Sequence, residues 1–328
     1  MDTLALGRPD GLLLEVLTRG ATVHRLLVPT SAGARNVVLG HASIEEYAAS
    51  TAYFGATVGR YANRIADGRF TLEGREYTLG RNENGNTLHG GPEGFDSRPW
   101  TVESVTADTA TLSLHSPDGD QGFPGALDVT VTYTVSTDEV AIDLVATTDR
   151  PTVVSLTNHS YFNLAGEGTG SVDDHLLQVH ADHYTPTDHR QIPTGELTAV
   201  DGTPLDLREP TRIGDAVRRD HPQLRQARGI DHNFAVSGSG LRELATVRAA
   251  GLRLAVSSDA PGVQVYTGNF LDGTAVGTSG SLYRQGDGLA LEPQAFPDSP
   301  NQPTFASVVL SPGETYQRKI LWRLGDWS

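Results

Sequence analysis

Glu292, His159 and His89 are the side chains of this sequence best suited to moving protons near neutral pH, one carboxylate and two imidazoles. Glu292 lies in Leu291-Glu292-Pro293-Gln294, with Pro297 and Pro300 close behind. Proline disfavours helix in the residue before it and stiffens the chain, so the segment reads as a proline-rich turn holding a candidate general base. The alternative is an ordinary solvated loop Glu. His89 precedes Gly90-Gly91, where the backbone can approach a ligand closely or turn through positive φ. An exposed His in a turn fits the same residues. His159 follows the apolar run Val153-Val154-Ser155-Leu156. If that run continues as one strand, residues 159, 161 and 163 share a face made of imidazole, phenol and amide. Such a face can wall a cleft, or it can be a core strand whose polar groups bond one another.

Further polar positions could serve the same cleft. Gly59-Arg60-Tyr61-Ala62-Asn63-Arg64-Ile65 places two Arg and an Asn together with no acidic residue between them. An Arg fork beside an amide suits sugar hydroxyls or a carboxylate, and surface salt bridging is the alternative. Asp231-His232 and Gln264-Val265-Tyr266 follow the same logic, with Gln264 and Tyr266 on one strand face. His180, Asp182, His183 and His189 are close in sequence but sit on a strand-to-loop transition, so no metal site is expected there.

Composition removes several chemistries. The 328 residues contain no Cys, which excludes disulfides, thiolate nucleophiles and Cys-ligated zinc. Lys319 is the single lysine and falls in an apparent C-terminal strand, so Schiff-base chemistry is not expected. The formal net charge of −15 disfavours nucleic acid and, more mildly, any anionic substrate. No apolar run approaches the roughly 20 residues of a membrane-spanning helix. The N-terminus has no basic stretch ahead of a long apolar one, so a cytoplasmic protein is expected.

The elements that must position these residues are mostly strands. Leu127, Val129, Val131, Tyr133 and Val135 alternate with largely polar neighbours, and Val140, Ile142 and Leu144 resume the alternation after Thr137-Asp138. That predicts an antiparallel hairpin with one buried face. Residues 244–247 and 252–256 predict a second hairpin around Ala250-Gly251, and further strands are expected at 12–17, 22–28, 70–72, 111–114 and 315–322. With 36 Gly and 18 Pro interrupting the chain, the fold class is all-β with many short strands. Ser43-Ile44-Glu45-Glu46 carries a capping-box pattern for a short helix, and residues 211–227 predict another. Without a repeat or a low-complexity linker, residues 1–328 read as a single domain.

Six segments, taken together and in this order, resemble the aldose 1-epimerase (galactose mutarotase) family: GRYANRI at 59–65, NTLHGG at 86–91, NHSYFNL at 158–164, Asp231-His232, QVYTGN at 264–269 and LEPQAFPDSPN at 291–301. The resemblance implies a large antiparallel β-sandwich with an open polar cleft, no metal and no organic cofactor. The substrate it implies is a free monosaccharide such as galactose or glucose. It also implies roles. Glu292 matches the base that takes the anomeric hydroxyl proton, His159 the acid that protonates the ring oxygen, and His89 a second imidazole beside them. Asn63, Arg64, Asp231 and Gln264 match polar contacts to the sugar, while Tyr161 and Phe296 are candidates to stack on it.

Three other activities share parts of this pattern. A hexose 6-phosphate epimerase would need a cationic pocket. A non-catalytic sugar binder would have no use for an intact Glu292 and His159. A glycosidase needs two carboxylates about 5–10 Å apart, for which Asp231 and Glu292 could be taken.

Overall fold

The computed structural model describes residues 2–8 and 10–327. Its largest sheet has nine strands, in the order 101–105, 109–116, 127–135, 139–148, 316–326, 252–258, 242–249, 176–179 and 211–212. Every pairing in it is antiparallel. Both expected hairpins are present, Leu127–Val135 with Glu139–Thr148 and Arg242–Ala249 with Leu252–Ser258. A six-stranded antiparallel sheet runs Tyr161–Phe162, Leu289–Gln294, Gly262–Tyr266, Asp231–Ala235, His183–Tyr184 and Thr198–Ala199. A four-stranded sheet formed by Thr3–Gly7, Leu13–Leu17, Thr22–Thr30 and Gly33–Asn36 adds to the same core.

Alternation in the six-stranded sheet decides where chemistry can sit. Phe234, Val263, Val265, Leu289 and Leu291 point into the main core with Val131, Ile142, Leu144 and Trp322 of the large sheet. Burying each of these side chains is worth about 2 kcal/mol. The intervening residues Asp231, Asn233, Gln264, Tyr266 and Glu292 are thereby forced onto the opposite face. A one-residue slip in register would exchange the two sets, so the apolar core also fixes the orientation of the polar face.

Several local expectations are corrected. Glu292 is not in a turn: it lies within the strand Leu289–Gln294, opposite Gln264. Pro293 is tolerated there because the neighbouring strand Tyr161–Phe162 pairs only with Ala290 and Leu289, so no partner on that side awaits its missing N–H. The run 153–164 is not one strand but breaks into Thr152–Val153, Thr157–Asn158 and Tyr161–Phe162, each in a different sheet. The helix expected over 211–227 is two, Ile213–Val217 and Pro222–Ala227, with Pro222 opening the second. At Ser43 only half of the capping box forms. Glu46 accepts the Ser43 N–H at 3.0 Å, no side-chain cap bond is made, and the element is a short 3-10 turn, Glu45–Ala48. No helix among the described residues is long and apolar enough to cross a membrane.

Candidate active site

A cleft of about 620 Å³ opens over the polar face of the six-stranded sheet, within the usual size range of a small-molecule site. Asn63, Arg64, His89, His159, Tyr161, Asp231 and Glu292 all line it, although they come from five separate stretches of chain. Gln264 is buried beside this wall and donates its amide N–H to Asp231 Oδ1 at 2.6 Å, which orients the carboxylate. Asn163 leaves the face expected for it and bonds the carbonyls of Gly170 and Asp287.

Glu292 and His159 form the centre. Glu292 Oε1 lies 3.6 Å from His159 Nε2, and both side chains are almost wholly buried. By distance this is an ion pair, yet burial favours the uncharged forms: it pushes the Glu292 carboxyl well above its ordinary range, with Asp231 adding to the rise, and takes His159 down to about 4. The two descriptions hold the same single proton, placed on Glu292 or on His159, so the pair titrates as a unit. The His159 backbone is fixed by two bonds to a turn at 53–56, its N–H to the Ala56 carbonyl at 2.8 Å and its carbonyl from the Gly55 N–H at 3.0 Å.

His89 is held in one tautomer. Its Nδ1 accepts the backbone N–H of Asn63 at 3.1 Å, while its own backbone N–H reaches the Asn63 carbonyl at 3.1 Å. Burial and the nearby His159 and Arg64 keep the ring well below its ordinary pKa, so it is neutral and carries its proton on Nε2. The residue has φ +51°, and the following Gly90 has φ +94° with its α-carbon pressed against Gly59; a Cβ there would meet the Gly59 carbonyl oxygen at 1.8 Å. Only glycine permits that approach.

Among the described residues, His89, His159 and Glu292 are the set whose donor atoms lie close enough to hold a metal, all within 4.8 Å of one another. The donor chemistry does not fit. The nitrogen of His89 free of the Asn63 bond carries the proton, and binding a metal through it would require an imidazolate or loss of that bond. His180, from the other candidate set, pairs with Glu243 at 3.1 Å.

Arg64 binds Glu83 through two N–H bonds of 3.2 and 3.3 Å and approaches Asp231 at 3.8 Å. Burial disfavours its charge, but Asp231 and Glu83 outweigh that and hold its pKa above the ordinary value. The Asp231 carboxyl is raised by burial against the pull of Arg64 and Gln264. Arg60, grouped with Arg64 in the sequence, never reaches the cleft. Its guanidinium donates to Ser116 Oγ and to the carbonyls of Ser116, Pro117, Pro124 and Gly125, and it serves as a buried structural tie. Phe296 is likewise absent: it lines a second hollow of about 710 Å³ with Val154 and Tyr316, and its ring packs on Phe305. The aromatic residues that do line the cleft are Tyr53, Tyr161, Tyr266 and Phe270. Of these, Tyr53 and Phe270 were not singled out in the sequence.

The match to known proteins follows this geometry. Residues 2–323 match the family model described as aldose 1-epimerase. The chain belongs to the aldose 1-epimerase family. It is 46% identical over 313 residues to galactose mutarotase of Mus musculus, covering 94% of this chain and 90% of that protein. It is 42% identical over 322 residues to aldose 1-epimerase of Escherichia coli (strain K12), covering 95% and 92%. An aldose epimerase homologue from C. elegans superposes with a TM-score of 0.93 at 30% identity, covering 100% of this chain and 99% of that one. Members of the aldose 1-epimerase family act on free monosaccharides.

Proposed function

We propose that this chain interconverts the α and β anomers of free aldohexoses such as galactose and glucose, with Glu292 and His159 as the proton-transfer pair. The observation that carries the reading is the 3.6 Å approach of these two buried groups on the cleft floor. In the productive arrangement Glu292 is the carboxylate and His159 the imidazolium. Glu292 takes the proton from the anomeric hydroxyl, His159 gives its proton to the ring oxygen, and the C1–O5 bond breaks to leave an aldehyde. Rotation about C1–C2 exposes the other carbonyl face. The O5 hydroxyl then attacks it, returning its proton to His159, and the new anomeric oxygen takes its proton from Glu292. His89, with Nε2–H as a fixed donor, steadies the oxygen on which charge develops. Asp231 and Arg64, with Asn63 and Tyr161 beside them, hold the remaining hydroxyls and the ring.

Charge favours a neutral sugar. Glu46, Glu83, Asp231, Asp272 and Glu292 line the cleft against a single guanidinium, Arg64. Such a lining repels a hexose phosphate and gives its phosphate no cationic seat. The chain's charge of −15 likewise disfavours nucleic acid, and a single-domain cytoplasmic enzyme without membrane or cofactor is the setting we assign to it. Polarimetry on freshly dissolved α-D-galactose, α-D-glucose and α-D-glucose 6-phosphate tests this. The free sugars should reach equilibrium faster with enzyme, and the phosphate ester should not. Only the spontaneous rate with every sugar would overturn the activity, and preferential action on the ester would replace it with the phosphate reading.

A further inference from the structure

We infer that Tyr53 is a positioning residue: its ring braces the two imidazoles of the cleft in their relative orientation and keeps water off them. The inference rests on His159 being one half of the proton-transfer pair. Tyr53 belongs to the short turn that already grips the His159 backbone at Gly55 and Ala56, and its own carbonyl closes that turn by accepting the Ala56 N–H at 3.0 Å. Its ring lies 4.7 Å from the His89 ring and 5.9 Å from the His159 ring, stacked on the latter at 27°. The two imidazoles are themselves 5.1 Å apart and nearly perpendicular, so one phenol ring touches both members.

Tyr53 is in turn held from several sides. Its ring packs on the small cluster of Ala56, Val58 and Ala62. Its hydroxyl accepts a bond from Asn82 Nδ2 at 3.3 Å, and Asn82 bonds both the N–H and the carbonyl of Leu88, the residue before His89. The backbone at Tyr53 has φ +57°, a left-handed conformation disfavoured for an aromatic residue and retained here by its surroundings. One side chain thereby links the segment carrying His89 to the turn carrying His159.

The groups facing His159 are Glu292 at 3.6 Å, His89, Tyr161 with its ring at 5.0 Å, and Tyr53. Glu292 is the acidic group among them, and burial is what lowers the ring's proton affinity. Removing the Tyr53 ring admits water to His159 and loosens its angle to His89. Misplacement of a catalytic group by about 1 Å can cost on the order of 100-fold in rate.

The test compares Tyr53→Phe, Tyr53→Leu and Tyr53→Ala in the full chain by polarimetry across pH, alongside an NMR titration of the His159 ring protons without sugar. We expect Tyr53→Leu and Tyr53→Ala to lose about tenfold or more in kcat with KM within about threefold. Their His159 titration should move from about 4 toward the ordinary 6.5. Tyr53→Phe, which keeps the ring, should stay within about threefold and keep the wild-type titration. Should Tyr53→Ala fail to fold, Tyr53→Leu decides. An unchanged kcat and titration in Tyr53→Leu would overturn the inference. So would a rise in KM alone, which would make the ring a platform for sugar, or a loss in Tyr53→Phe as large as in Tyr53→Leu, which would put the role on the hydroxyl. The NMR readout needs no turnover, so it separates failure of this inference from failure of the acid–base assignment.

Discussion

Replacing Glu292 by Gln removes the base while keeping the shape of the side chain. The carboxyl is buried, its Oε2 has no hydrogen-bond partner among the described residues, and its Oε1 lies 3.6 Å from His159. The substitution therefore opens no cavity and breaks no network, and the neutral amide escapes the burial penalty that raises the carboxyl's pKa. Stability should be equal to or slightly above wild type. Catalysis should not survive: a positioned general base contributes about 10²–10⁴-fold, or about 3–5 kcal/mol of barrier. Polarimetry of α-D-galactose should show kcat reduced by that factor with KM changed about threefold or less, since the hydroxyl contacts assigned to Asp231 and Arg64 remain. In wild type the pH profile should be bell-shaped. The acid limb marks a second proton entering the His159–Glu292 pair, near the low His159 value of about 4, and the alkaline limb marks loss of the shared proton from the raised Glu292. A Glu292→Gln enzyme within tenfold of wild type, or a wild-type rate that is flat from about pH 3 to pH 10, would refute the assignment.

Two further outcomes concern the scaffold. Arg60→Ala leaves four carbonyls, three of them buried, without their charged donor, so unfolding free energy should fall by about 3 kcal/mol or more in chemical denaturation, with soluble variant showing near-normal KM. A normal melting temperature would show that these bonds are replaced by water. His175 is buried, its Nε2 accepts the Leu164 N–H at 2.9 Å, and burial lowers its pKa to about 4. The unfolded chain binds this proton below its ordinary pKa of 6.5 and the folded one does not, so the contribution of His175 is intact above 6.5 and lost as pH falls toward 4. Between pH 7 and pH 5, wild type should lose about 2 kcal/mol more stability than His175→Gln, and equal pH slopes would contradict the burial argument.

Legibility in the sequence tracked how local each cause was. The hairpin at Leu127–Val135 and Glu139–Thr148 was readable because alternation and a turn signal lie within one short window. Glu292 was misplaced in a turn because Pro293 argues against a central strand, and the exception depends on a neighbouring strand that stops at Phe162, far upstream in the chain. Arg60 and Arg64 share a motif and look alike in it, yet their fates diverge because Ser116 to Gly125 wraps one and Glu83 meets the other. Tyr53 carried no signal, since contact with two imidazoles from other segments leaves no trace in its own neighbours along the chain.

The sequence by itself determined the inventory: an all-β alternation, a proton-transfer set of Glu292, His159 and His89, no thiol, a strongly acidic surface and six motifs that mark the family. Tertiary structure decided which of those residues meet, that Gln264 holds Asp231 through its amide, and that Glu292 and His159 approach to 3.6 Å. The reason is physical. Residue type and period are properties of adjacent residues, whereas a distance of 3.6 Å between positions 159 and 292 is set by sheet register and by the apolar face of the same strands. Desolvation, which sets the proton affinity of the pair, exists only once that packing has closed over it.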